Sequence, residues 1–150
     1  MQPGQASASH TIPAISGSGP QDLLEAIRIY WNEHIHDLDI AEHPIGTKEF
    51  FGELTAYRFE KLAYLPQVVD FSAYKGQRLL EVGCGLGIDL VQFARHGATV
   101  TGIDLAEESI RLAREHFALN GLDAELRTMD GEHFLSGSLP SFHAPSCASF

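Results

Sequence analysis

The segment LLEVGCGLGIDL, residues 79–90, constrains the fold of this chain most strongly. It joins a continuous apolar run to a turn that has glycine at three alternate positions, Gly83, Gly85 and Gly87. Glycine allows tight backbone turns and lets a backbone approach a ligand without a Cβ in the way. The apolar run, the glycine turn and the helical pattern that follows predict a strand, a βα turn and a helix.

Two acids accompany this turn. Glu81 lies at the end of the first apolar run, and Asp104 ends a second one, ATVTGIDL, at residues 98–105. An acid that follows the second parallel strand can hold the two hydroxyls of a ribose. The turn and the acids together predict a site for a cofactor that contains adenosine.

The segment 77–132 alternates strands and helices. Strands are predicted at 78–82, 99–104 and 124–128, and helices at 88–96 and about 107–120. Short connections of this kind build a parallel sheet with right-handed crossovers, so the predicted fold class is α/β. The second of these helices is expected to turn one face toward the sheet, formed by Ile110, Ala113, Phe117 and either Leu112 or His116.

The residues before the sheet divide into a tail and a helical cap. Residues 1–19 are rich in Ser, Gly, Pro and Ala and are predicted to be disordered, because they can bury little apolar surface. Residues 20–76 are predicted to form two helices, one beginning at Pro20 and one capped by Thr47 and continuing toward Leu65. Their expected apolar faces are Leu23, Leu24, Ile27, Tyr30 and Trp31 in the first, and Phe50, Phe51, Leu54 and Tyr57 in the second.

Composition limits the classes of partner. Twenty acidic residues against ten Lys and Arg give a net charge of −10, which argues against nucleic acid or an anionic membrane as the main partner. The two cysteines lie far apart and form no CxxC pair, so neither a disulfide framework nor a zinc site is expected. No apolar run reaches the length of a membrane span and no signal peptide is recognisable, so the expected location is the cytoplasm.

The spacing of the turn separates two families of cofactor-binding proteins. The pattern is G-x-G-x-G, and Ile88 stands where the G-x-G-x-x-G pattern of dinucleotide-binding proteins has its last glycine. This counts against a nicotinamide-dependent oxidoreductase. From about Tyr30 to Glu132, and most strongly over residues 79–114, the chain resembles the class I S-adenosylmethionine-dependent methyltransferases, particularly small bacterial-type members with a methyltransferase type 11 domain.

The resemblance implies S-adenosylmethionine as cofactor and a role for the first strand and its turn. The glycines at 83, 85 and 87 would pack against the methionine part of the cofactor, and Glu81 would help to hold its amino group. Cys84 would serve as a small residue that fits the turn, because no base is placed beside it to make it a nucleophile. Tyr57 and Arg58 are candidates to reach the cofactor carboxylate.

The resemblance also implies roles for the residues after the second and third strands. Asp104 would take the ribose hydroxyls, and Leu105 would lie against the adenine. Asp130 would contact the adenine amino group, with the backbone N–H of Gly131 on the ring. Ala106 departs from the family, which often has a helix-capping Ser there, and the lost cap is expected to cost about 1 kcal/mol. No catalytic base is identified.

The family fold has about seven strands, and this chain offers three. The expectation is a Rossmann-like parallel sheet of the class I methyltransferase type, with its N-terminal half only, truncated after the third strand. Residues 133–150 read as an irregular tail, and translation out of frame is an open interpretation of them. The first strand would then be a sheet edge that invites self-association.

Three functional hypotheses stay open on the sequence. The first is methyl transfer from S-adenosylmethionine to a small molecule or another, unidentified acceptor. The second is an inactive remnant that binds the cofactor without turnover, and the third is the nicotinamide-dependent oxidoreductase.

Overall fold

A computed structural model of the protein describes residues 19–35 and 38–136. The predicted disordered tail, apart from Gly19, lies outside these residues, and so does the predicted irregular tail beyond Ser136. The helices are α1 (Pro20–Glu33), α2 (Lys48–Lys61), α3 (Leu65–Val68), α4 (Ile88–Arg95), α5 (Glu107–Leu119) and α6 (Gly131–Ser136), and the strands are β1 (Arg78–Val82), β2 (Thr99–Asp104) and β3 (Glu125–Thr128). Short 3₁₀ turns at Leu38–Ile40 and Phe71–Tyr74 complete the described elements.

The three strands form one parallel sheet in the order β1-β2-β3. Leu79 pairs with Val100 and Glu81 with Gly102, while Gly102 in turn pairs with Leu126. This confirms the predicted α/β fold, and the strand bounds agree with the sequence to within one residue. The carboxyl ends of β1 and β2 therefore lie side by side, each with its acid.

One face of the sheet carries the main hydrophobic core. Leu79, Val100 and Leu126 pack there with Leu90, Phe93, Ile110, Ala113 and Phe117 from α4 and α5. Gly102 lies at the centre of this face, where a Cβ would come within 2.8 Å of both Cys84 Sγ and Leu90 Cδ2 and within 2.9 Å of Leu126 Cδ2. The absence of a side chain at Gly102 lets α4 and the turn before it approach β2.

A second cluster joins α2 to α5. Phe50, Phe51 and Leu54 pack there with Leu86 and Leu112. The alternative assignment of Leu112 or His116 to the sheet is therefore wrong, because Leu112 is in this cluster and the His116 ring stacks on Phe51. These two α5 residues project toward the helix that covers α5.

The start of α2 is as predicted and its end is not. Thr47 Oγ1 accepts a hydrogen bond of 3.2 Å from the N–H of Phe50, which confirms the cap. The helix ends at Lys61 instead of continuing to Leu65, because Leu62 leaves the helical region with ψ of 51°. The separate short helix α3 carries Pro66 in its first turn, where the missing N–H costs nothing.

Helix α1 forms where predicted, but it buries none of its residues. Of the five residues assigned to its apolar face, Leu24, Ile27 and Tyr30 are half-buried, while Leu23 and Trp31 are 45% and 37% exposed. Polar contacts also join the helix to α5. Asn32 Oδ1 accepts a 3.3 Å hydrogen bond from the N–H of Glu108, in the first turn of α5. Asn32 thus supplies, from another helix, a cap that Ala106 lacks.

The segment from residue 133 is helical as far as Ser136, which corrects the prediction of an irregular tail from that point. Asp130 begins this helix. Its Oδ1 accepts a 3.0 Å hydrogen bond from the N–H of Glu132, and its carbonyl oxygen accepts one of 3.1 Å from the N–H of Phe134. None of the described helices is long and apolar enough to cross a membrane.

A methyl group added at Gly102 should overfill the core. We expect Gly102→Ala to lower the free energy of unfolding by about 1–3 kcal/mol, because three buried side chains would have to move. Gly52→Ala adds the same group on an exposed face of α2, where no described atom lies within 4 Å of the new Cβ, and should raise stability by about 0.5–1 kcal/mol. Urea denaturation of both variants measures the difference, and equal effects would contradict this packing.

Candidate cofactor site

The glycine turn is a left-handed backbone segment fixed to the end of β2. Gly83, Gly85 and Gly87 have φ values of +73°, +51° and +69°, a region that costs other residues about 1–2 kcal/mol each. The N–H groups of Gly83 and Cys84 both donate to the carbonyl of Ile103, at 2.8 and 3.0 Å. A bond of 2.8 Å from the N–H of Gly87 to the carbonyl of Cys84 closes the turn.

The space beside the turn is open. No described atom lies within 4 Å of a Cβ built on Gly83 or on Gly85. Gly83 is exposed and Gly85 is half-buried. A ligand can therefore lie directly against this backbone, which is what the sequence predicts for the turn.

Asp104 is held in place by the turn and by the helix that follows it. Its Oδ2 accepts a hydrogen bond of 2.9 Å from the N–H of Gly85, and its Oδ1 accepts one of 2.9 Å from the N–H of Ala106. A carboxylate oxygen has two lone pairs, so each oxygen keeps one for a ligand hydroxyl. The carboxylate is therefore oriented before any ligand arrives.

Glu81 is the residue of the site whose side chain is buried at the greatest free-energy cost. Its Oε2 is buried and has no hydrogen-bond partner among the described residues. Burial, with the negative charges of Asp89 and Asp104 adding to its effect and Arg58 opposing it, raises the pKa of this carboxyl to about 8. A buried polar atom without a partner costs free energy that a ligand donor or cation can recover.

An ion pair borders Glu81. Arg58 on α2 contacts Asp89, in the first turn of α4, with Nη2–Oδ2 at 2.6 Å and Nε–Oδ1 at 3.3 Å. The sequence makes Arg58 a candidate for the cofactor carboxylate. The structure pairs it with Asp89, and this contact raises the pKa of Arg58. The ring of Tyr57, the other candidate, lies beneath Lys61 Nζ, 5.2 Å from the ring centre.

Cys84 is a packing residue within the turn. It is buried, and burial raises the pKa of its thiol, with Glu81 and Asp104 adding to the effect. The thiol therefore stays protonated and is a poor nucleophile. This agrees with the small, turn-filling role predicted for it.

The remaining predicted residues lie at the same edge of the sheet. Leu105 follows Asp104 and is half-buried. The N–H of Met129 donates to the carbonyl of Asp104 at 2.8 Å, which brings Asp130 and Gly131 next to the end of β2. The Asp130 carboxylate caps α6, a role that sequence reasoning did not assign.

Two contacts behind the turn were not foreseen. His116 Nδ1 lies 3.1 Å from the carbonyl oxygen of Leu86, and its ring stacks on Phe51. Helical periodicity places His116 on an inner face of α5 but does not reveal this partner. A cavity of about 180 Å³, whose lining includes Lys48, Thr55 and Arg95, lies on this side of the molecule.

The described residues hold no group of three or more His, Cys, Asp or Glu side chains arranged to bind a metal ion. The site consists of a bare backbone turn, the Arg58 guanidinium and four carboxyl groups, those of Glu81, Asp89, Asp104 and Asp130. Its net charge is negative, so it favours a ligand with positive charge.

Comparison with known protein families is consistent with this geometry. The family model described as "Methyltransferase domain" matches residues 79–149, just under half of the chain. A ubiquinone biosynthesis O-methyltransferase of Bordetella avium is 40% identical over 73 residues, which are 49% of this chain and 30% of that protein. The Xylella fastidiosa protein of the same name is 39% identical over 87 residues, 58% of this chain and 34% of that one. The chain thus spans about a third of the length of these relatives.

Solved structures agree in fold. Geranyl diphosphate C-methyltransferase from Streptomyces coelicolor superposes with a TM-score of 0.51 at 21% identity, covering 76% of this chain and 48% of that one. Magnesium protoporphyrin IX methyltransferase from Synechocystis, solved with bound S-adenosylmethionine, gives 0.50 at 18% identity, covering 71% and 54%. Both likenesses concern the Rossmann-like fold.

The raised pKa of Glu81 should make the stability of the chain depend on pH. This pKa is about 8 in the folded chain against an ordinary value of 4.5, so the folded state holds a proton that the unfolded state has lost. Stability due to this group is full below pH 4.5 and is lost as pH rises toward 8. We expect Glu81→Gln to remove this loss, so that its melting temperature exceeds that of the wild type by an amount that grows across this range.

Glu60→Gln on the exposed surface of α2 is the matched control and should follow the wild type at every pH. Thermal denaturation across the range measures all three chains. A constant difference between Glu81→Gln and the wild type would show that Glu81 does not titrate in this way.

Proposed function

We propose that this chain, which carries a class I S-adenosylmethionine-dependent methyltransferase domain, binds S-adenosylmethionine at the glycine turn and transfers its methyl group to a small-molecule acceptor. The observation that carries the proposal is the buried, unpartnered Oε2 of Glu81 beside an open turn. The cofactor has an ammonium group that can donate a hydrogen bond to this oxygen. It also has a sulfonium, whose positive charge the surrounding carboxylates stabilise.

The first strand and the turn after it bind the methionine part of the cofactor. Glu81 takes the ammonium of the methionine part, while Gly83, Cys84, Gly85 and Gly87 lie against that part. A nearby guanidinium would favour the cofactor carboxylate. Arg58 is the one that the local geometry offers, since its charge already acts on Glu81.

Residues at the carboxyl ends of β2 and β3 bind the adenosine part of the cofactor. Asp104 accepts the ribose hydroxyls with the lone pairs that Gly85 and Ala106 leave unused. Leu105 lies against the adenine, and Asp130 and the N–H of Gly131 contact its polar edge.

Methyl transfer requires the two reactants to be oriented as the S–C bond breaks and the bond to the acceptor forms, and a hydroxyl acceptor must also lose its proton to a base. The bound cofactor supplies a methyl group that is already activated by its sulfonium. The role of the chain is to hold the sulfonium in one orientation, which is catalysis by proximity. An oxygen acceptor is favoured by the O-methyltransferase names of the relatives, although their similarity to this chain covers about a third of their length.

Two alternatives make different predictions about ligands and turnover. An oxidoreductase would bind NADH, for which the turn has the wrong spacing. A non-catalytic cofactor-binding chain would bind S-adenosylhomocysteine and yet release no labelled methyl to any acceptor. Cytoplasmic location and self-association through the outer edge of β1 stay predictions, and within the described residues β1 pairs with β2 alone.

Binding of S-adenosylhomocysteine tests the proposal directly. We expect isothermal titration to detect binding to the wild type and at least about tenfold weaker binding to Glu81→Gln, because a charge-assisted hydrogen bond is lost. Glu60→Gln should bind as the wild type does. Binding of NADH in preference to S-adenosylhomocysteine, or equal affinity of the Glu81 variant, would contradict the assignment.

Binding should also release a proton. Glu81 is largely protonated below pH 8 in the free chain, and it must ionise to accept the ammonium as a salt bridge. We therefore expect affinity for S-adenosylhomocysteine to rise with pH by up to about tenfold per unit below pH 8, and to level off above it. Titration in buffers of different ionisation enthalpy counts the proton, and Glu81→Gln should abolish the release.

A further inference from the structure

We infer that His116 is a positioning residue for the cofactor turn, holding the Leu86–Gly87 peptide in the orientation that the turn requires. The inference rests on the proposed function for its consequence, since a displaced turn would weaken cofactor binding. The contact that carries it is the 3.1 Å approach of His116 Nδ1 to the carbonyl oxygen of Leu86.

The geometry fixes the protonation of the ring. A carbonyl oxygen only accepts, so the hydrogen lies on Nδ1, and Nε2 carries the lone pair of the neutral ring. His116 is 3% exposed, and burial lowers the pKa of its imidazole; the hydrogen bond to Leu86 opposes this shift and the positive charge of Arg95 adds to it. Lys48, which lines the adjacent cavity on α2, adds positive charge on that side. The ring is therefore a neutral donor.

The peptide that His116 holds is fixed at both of its polar groups. Its carbonyl, from Leu86, accepts from the ring, and its N–H, from Gly87, donates to the carbonyl of Cys84 at 2.8 Å. A peptide is planar, so the two bonds together set its rotation. Gly87 is also the residue before the first turn of α4, and this peptide therefore sets how the turn enters the helix.

The ring itself has little freedom. It lies parallel to Phe51 of α2, with ring centres 4.3 Å apart and planes at 5°. The neighbouring Phe117 abuts the turn, because a Cβ on Gly87 would lie 3.1 Å from its Cε2. Phe51 of α2 thus fixes the His116 ring by stacking, and the ring fixes the turn by its hydrogen bond to Leu86. These two contributions of one side chain can be separated by substitution.

Two substitutions separate them. His116→Phe keeps an aromatic ring beside Phe51 and removes the donor, which leaves the Leu86 carbonyl without its partner. His116→Asn keeps a donor close to the position of Nδ1 and removes the ring. We expect the Phe variant to bind S-adenosylhomocysteine about tenfold more weakly than the wild type, and the Asn variant about threefold more weakly or less. This order of affinities should hold even if the Phe variant is the more stable of the two.

His96→Phe is the matched control. His96 Nδ1 also lies near a backbone carbonyl, that of Gln92 at 2.7 Å, but at the exposed end of α4 away from the turn. It should leave affinity unchanged. If affinity falls in proportion to the loss of stability in both His116 variants, the residue is structural only and the inference is wrong.

Nuclear magnetic resonance on the free chain keeps this test independent of the cofactor assignment. The ring nitrogens of His116 should show the Nδ1–H tautomer, and the amide of Gly87 should exchange faster in His116→Phe than in the wild type, with His116→Asn close to the wild type. An Nε2–H tautomer, or unchanged exchange in the Phe variant, overturns the inference. Absence of S-adenosylhomocysteine binding by the wild type would overturn the proposed function alone.

Discussion

The attachment of the glycine turn to the end of β2 is the interaction on which the site depends. One carbonyl, that of Ile103, accepts from two successive N–H groups of the turn, and the next side chain, Asp104, accepts from a third. The end of β2 therefore shapes a loop that belongs to β1 and α4. The same carboxylate also holds the backbone that enters α5. The hydrogen bonds of Ile103 and Asp104 consequently link the end of β2 to the turn and to the starts of α4 and α5.

The sequence predicts the parts of this arrangement that are local. The three strands are correct to within one residue, because a buried strand bounded by glycine or an acid has a distinctive pattern. The turn and its two acids are brought together as expected, since parallel strands place their carboxyl ends at one edge. The cap at Thr47 is likewise encoded within four residues.

The contacts that the sequence does not reveal join distant residues. Asn32 lies 76 positions from the N–H that it caps, and Arg58 lies 31 positions from Asp89. Neither pair has a periodic signature, so only the packed chain selects the partner. The apolar side of α1 is predicted only in part. Periodicity indicates an amphipathic helix but does not say how much of it another element covers, and here Leu23 and Trp31 remain exposed to solvent.

The polar attachment of α1 has a consequence for how the molecule opens. None of the residues of this helix is fully buried, and its links to α5 include the Asn32 contact and a 3.9 Å approach of Arg28 to Glu107. Such a helix opens at a lower free-energy cost than the sheet, whose strands lie in the main core. Its opening would leave the N–H of Glu108, four positions after Asp104, without the Asn32 cap.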